Sequence, residues 1–112
     1  MIANTGSKIT KDRLRHYKLL FSKPNHVKGT LKLMAEWNLS EFLNNLKNCN
    51  SNINFLVGNL DKTVPISVSK KWSRILPRTS YHEISGAGHL VHEEKPYEVS
   101  QIILNHLQAI EN

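Results

Sequence analysis

Two residues in this chain have the types and spacing for acid–base chemistry: Asp61, in the stretch GNLDKTVP, and His89, in GAGHLVHEEKP. A buried aspartate beside a histidine holds the imidazole in one tautomer and stabilises its protonated form. The imidazole then deprotonates a hydroxyl or a water. The two residues are 28 positions apart, room for one helix and one strand. Gly86 and Gly88 let the backbone turn sharply enough to present His89 inward. His82, His92, Glu93 and Glu94 add no metal site, because His89 and His92 lie three apart in a loop with no second matched pair. Neither a metal nor a cofactor is expected. His92, Glu93 and Glu94 suit the start of a final helix, where carboxylates favour the N-terminal dipole. Cys49 sits between asparagines with no base near it in sequence and is a poor nucleophile.

The elements that would position the pair follow from periodicity. Ile53–Val57 is short, apolar and β-prone and stops at Gly58, as a buried strand does. Beyond Pro65 a helix fits Ile66 to Leu76, with Val68, Trp72, Ile75 and Leu76 on one side. Thr79 to Ser85 reads as a second strand, with Tyr81 and Ile84 as candidate inward residues. Pro96 suits the first turn of a last helix that carries Tyr97, Val99, Ile102, Ile103, Leu107 and Ile110. The order strand, helix, strand, helix implies parallel strands joined by a right-handed crossover. Ligand and catalytic residues gather at the carboxyl ends of such strands. Asp61 follows the first strand and His89 the second, so the sequence sends an acid and an imidazole to one rim.

The first half is helical in pattern. Residues 1–9 read as a loose lead-in. Leu14, Tyr17, Leu20 and Phe21 form one face after Thr10, and Lys23-Pro24-Asn25 breaks the run. Val27, Leu31, Met34 and Ala35 mark a second helix. Asn38-Leu39-Ser40-Glu41 offers the N-cap of a short third one with Phe42, Leu43 and Leu46. The chain thus divides into a helical segment over residues 1–50 and a β-α-β-α portion over residues 51–112. Trp37 and Trp72 read as packing residues.

The chain has 112 residues, of which 39% are hydrophobic and 21% charged. That leaves room for a small core. No stretch is long or apolar enough to span a membrane, and the N-terminus has no apolar signal region. A single cysteine excludes an intrachain disulfide and fits a reducing, cytoplasmic setting. The net charge is +6, and residues 1–48 carry all of the excess, with nine Lys/Arg against three Asp/Glu. These basic residues are spaced out along helix faces and lack an RNA-binding aromatic signature or zinc-finger spacing, so no nucleic-acid partner is expected.

FLVGNLDKTVP, a helix, and then ISGAGHLVHEEKP together resemble the C-terminal part of an α/β-hydrolase. The resemblance covers about residues 51–110. It implies that Asp61, in G-x-x-D-x-x-V-P with Gly58, Val64 and Pro65, is the acid of a Ser-His-Asp triad. It implies that His89, in G-x-G-H with Gly86 and Gly88, is the triad histidine, followed by the typical E-x-P at Glu94 and Pro96. HYKLLFSKPNHVKGTLKLMAEWNLSEFL is in turn similar to the lid of the α/β-hydrolase-like magnesium-chelatase accessory subfamily of bacteriochlorophyll biosynthesis. Met34-Ala35-Glu36-Trp37-Asn38-Leu39 carries most of that likeness, and the subfamily has Asp where this chain has Asn38.

No G-x-S-x-G nucleophile elbow exists in the chain. The expectation is therefore a partial α/β-hydrolase fold: a C-terminal piece that supplies Asp61 and His89 for hydrolysis of an ester-like bond in a larger parent acting on a small-molecule substrate. On its own the chain is expected to be inactive. The other expectation is a non-catalytic accessory or binding protein on the same fold, serving pigment biosynthesis, since fold does not fix function. Two parallel strands cannot cover themselves, so self-association through exposed strand edges is also expected.

Overall fold

The computed structural model of the protein describes residues 2–111. Its order is a 3-10 turn (Ile2–Thr5), α1 (Lys11–Phe21), α2 (Pro24–Ala35), α3 (Leu39–Lys47), β1 (Ile53–Gly58), α4 (Ile66–Ile75), β2 (Thr79–Ile84), α5 (Val91–Glu94) and α6 (Pro96–Glu111). Two compact units result, one of residues 9–49 and one joining the residues up to Lys8 with those from Asn50 onward.

Local chemistry sets the boundaries of the helical unit. Thr10 caps α1 by accepting the Arg13 N–H at 3.4 Å. Pro24 opens α2, where its missing N–H costs nothing. At α3, Asn38 Oδ1 accepts the Glu41 N–H at 3.2 Å while its Nδ2 donates to Glu41 Oε2 at 3.1 Å. Asparagine thus fills the capping role an aspartate would, because the same oxygen accepts. None of the three helices buries a residue. Leu31, Met34, Trp37, Leu39 and Phe42 all remain more than half exposed.

The other unit is built on a parallel pair. β1 and β2 run in register from Ile53↔Thr79 to Gly58↔Ile84. Parallel strands need a crossover, and α4 supplies it. Period-two alternation puts Leu56 and Ile84 on one face, where they meet Ala87, Val91, Val99 and Ile102 in the core. Tyr81 and Glu83 lie on the opposite face beside α4, where Lys70 Nζ pairs with Glu83 at 2.9 Å and stands 5.7 Å from the Tyr81 ring. The two strand residues read as inward therefore serve different faces: Ile84 is 4% exposed in the core and Tyr81 only half-buried under α4.

Two elements differ from the sequence reading. The last helix starts at Pro96 as expected, but the stretch before it holds a separate short helix, α5, which ends where Lys95 leaves helical geometry (φ −130°) ahead of Pro96. The lead-in is not loose: Thr5 and Ser7 are hydrogen-bonded to the loops that follow the strands, and Lys8 to Glu94 of α5. Of the apolar residues of α6, Val99 is buried and Ile102 packs on the core, while Tyr97, Ile103, Leu107 and Ile110 stay exposed.

Candidate functional site

The loops after β1 and β2 emerge on one rim and are zipped together. Asn59 N–H donates to the Ile84 carbonyl (3.0 Å) and Leu60 N–H to the Ala87 carbonyl (2.9 Å). Asn59 Oδ1 accepts the Gly86 N–H at 2.8 Å. Glycine is required at two points of this junction. Gly86 has φ +71°, left-handed backbone that favours glycine. A side chain at Gly58 would run into the main chain of Ala87 and Gly88, so the end of β1 approaches the histidine turn as closely as backbone can.

The rim brings Asp61 and His89 together. His89 Nδ1 lies 2.9 Å from Asp61 Oδ2. An ionised carboxylate only accepts, so Nδ1 carries the proton and Nε2 is left as the basic nitrogen. Asp61 Oδ1 meanwhile accepts the N–H groups of Thr63 (2.8 Å) and Val64 (2.9 Å). Those two bonds shape the turn into α4. The turn-forming and imidazole-binding roles of Asp61 therefore coexist on separate oxygens. Its side chain is 8% exposed, against 39% for the imidazole. Burial alone would push the Asp61 carboxyl up, but the bonds from Val64, His89 and Thr63 and the nearby imidazole outweigh it and hold it below its ordinary range. The pair is thus a fixed anion under an imidazole that faces solvent, suited to accept a proton through Nε2.

His106 and His92 have partners of their own. His106 Nε2 accepts from Asn54 Nδ2 at 3.2 Å near the opposite end of β1. His92 is 4.0 Å from Glu93 on α5. No three His, Cys, Asp or Glu side chains converge on a point that could hold a metal among the described residues.

Glu94 does not act on a helix dipole: it ends α5, and its carboxylate folds back to the Gly88 and Lys8 N–H groups. Sequence reasoning missed this, along with Asn59 and residues 5–8. The only signal was Thr5-Gly6-Ser7, a turn-prone stretch whose partners lie more than fifty residues away.

In the helical unit, Trp37, Asn38, Leu39 and Phe42 line an open, mostly apolar recess of about 380 Å³. Trp37 is 57% exposed there and is not a packing residue.

The structure defines a mixed α/β chain with an acid–imidazole pair on the carboxyl rim of a parallel two-stranded sheet, and no helix long and apolar enough to cross a membrane among the described residues. Comparison with known proteins adds a relative: the chain is similar to the magnesium-chelatase 30 kDa subunit of Rhodobacter capsulatus, 36% identical over 105 residues. The match takes in 94% of this chain but only 37% of that protein's length. No protein-family model matches the chain.

Proposed function

We propose that this chain serves as an accessory or binding component for magnesium chelatase in pigment biosynthesis, on an α/β-hydrolase-type framework. One observation carries the reading: 36% identity to a magnesium-chelatase 30 kDa subunit, sustained over 94% of the chain. Such a role needs a protein partner. The edge of β1 that faces away from β2 offers one a row of main-chain donors and acceptors.

The test is reconstitution. The chain is added to a purified magnesium chelatase, and magnesium insertion into a porphyrin is followed by absorbance while binding is followed by sedimentation. Co-sedimentation with a chelatase subunit, or a saturable change in insertion rate, is the expected outcome. Neither effect at chain concentrations up to tens of micromolar overturns the reading.

The Asp61–His89 geometry favours a second reading, hydrolysis of an ester-like bond in a small-molecule substrate. In this reading the pair, 2.9 Å apart, would serve as the acid and base of a triad whose nucleophile comes from outside this chain. Ester turnover by the chain that disappears in His89→Ala would move the assignment to catalysis. No turnover is expected.

A further inference from the structure

Three stretches distant in sequence meet behind the acid–imidazole pair. The Thr5 carbonyl accepts the N–H of Lys62 (3.2 Å) and that of His89 (3.1 Å). One main-chain oxygen therefore ties the neighbour of the acid to the histidine itself. Ser7 Oγ accepts the Leu90 N–H at 2.8 Å, just past His89. A side chain at Gly88 would collide with the main chain of Gly6 and Ser7, so strap and turn lie backbone on backbone.

Glu94 closes this junction. Its Oε1 accepts the Lys8 N–H at 2.8 Å and its Oε2 the Gly88 N–H at 2.8 Å. The nearby Ser7 hydroxyl also favours the ionised form of this carboxylate. Hydrogen bonds to an ionised acceptor are roughly twice as strong as neutral ones. The imidazole needs such support, because it is 39% exposed and its side-chain bond is the one to Asp61. A side chain held so lightly keeps its geometry only if the main chain beneath it is fixed.

We propose that Glu94 is the positioning residue of this site: by clamping the Ser7–Lys8 strap to Gly88, its carboxylate holds the His89 main chain where Nδ1 meets Asp61. The proposal rests on the Asp61–His89 pair being the working centre of the chain, whether for catalysis or for binding. It adds a residue that touches neither member of the pair.

The experiment uses the full chain labelled with nitrogen-15, as wild type, Glu94→Gln, Glu94→Asp and Ser7→Ala. Two readouts are taken: amide exchange rates along the chain, and the imidazole nitrogen shifts of His89, which report its tautomer. In Glu94→Gln one backbone N–H faces an amide NH₂ in place of an oxygen. Exchange at Lys8 and Gly88 is then expected to speed at least about tenfold, with β1 and β2 amides unchanged. The His89 shifts are expected to move from a pure Nδ1–H form towards a tautomer mixture. Glu94→Asp, one methylene shorter, falls between the two. Unchanged His89 shifts in Glu94→Gln overturn the proposal, and so does an equal acceleration of every amide, which would mean a merely structural role. If Glu94→Gln does not fold, Ser7→Ala decides by the same readouts: selective acceleration at Leu90 and Gly88 with shifted His89 signals supports the clamp, and unchanged signals overturn it. A wild-type imidazole without the Nδ1–H form would instead remove the pair on which the proposal rests.

Discussion

Replacing Asp61 by asparagine separates its two jobs. The amide oxygen of the new side chain can still accept the Thr63 and Val64 N–H groups that Oδ1 holds at 2.8 and 2.9 Å, so the turn into α4 persists. The NH₂ group takes the place of Oδ2, 2.9 Å from His89 Nδ1. Two donors cannot share that contact, so the ring must deprotonate Nδ1 and carry its proton on Nε2. Three charge-assisted bonds become neutral ones, each weaker by roughly 1 kcal/mol in a buried setting. Thr63 and Val64 are exposed and the imidazole is 39% exposed, so water replaces part of what is lost. The expected destabilisation of Asp61→Asn is about 1–2 kcal/mol, and that of Asp61→Ala, which abandons all three partners, about 2–4 kcal/mol. Urea unfolding followed by circular dichroism gives the stability difference, and imidazole nitrogen shifts give the tautomer. The reasoning is refuted if His89 in Asp61→Asn keeps its proton on Nδ1, or if the two variants are equally stable.

Three further outcomes are expected. Gly88→Ala drives a Cβ into the main chain of Gly6 and Ser7, where no side chain can yield. Its unfolding free energy in urea should fall by about 2 kcal/mol or more, and wild-type stability contradicts the packing. Acid should loosen the rim. Burial would raise the Glu94 carboxyl, but the Lys8 and Gly88 N–H groups, the Ser7 hydroxyl and the Lys8 charge outweigh it and lower it in the folded chain, as happens for Asp61. Both contributions are complete above the unfolded carboxylate value of about 4.5 and are lost as pH falls through the lower folded values, so stability that rises below pH 4.5 would be inconsistent with the assignment. Ile84→Ala removes a side chain that is 4% exposed at the centre of the small core. It should cost about 2–4 kcal/mol in the same urea experiment, whereas a loss under about 1 kcal/mol would place the core elsewhere.

Much of the site was legible in the residues alone. Ile53–Gly58 and Thr79–Ile84 announce themselves as strands by β-prone runs that end at glycine or turn residues, and the helix between them leaves only a parallel crossover. Once both strands run the same way, Asp61 and His89 must share a rim. Pro24, Asn38 and Pro96 mark helix starts because capping and proline geometry depend on a few neighbouring residues. Asn59, Glu94 and residues 5–8 were not legible. Each of their pairings has a backbone N–H as one partner, a group that every residue but proline possesses, so residue types give no hint of the pairing.

The sequence by itself determined the longer helices and both strands, the parallel pairing and the rim that carries the acid and the imidazole, since these follow from periodicity and chain direction. Only the tertiary structure decided that residues 5–8 fold back as a strap, that Gly6 and Gly88 meet backbone to backbone, and that Glu94, at the end of α5, binds Lys8 and Gly88. The reason is range. Periodicity and capping act within a few residues, whereas the Lys8–Glu94 bond spans 86 positions and exists only once the strands have brought their loops to the same edge.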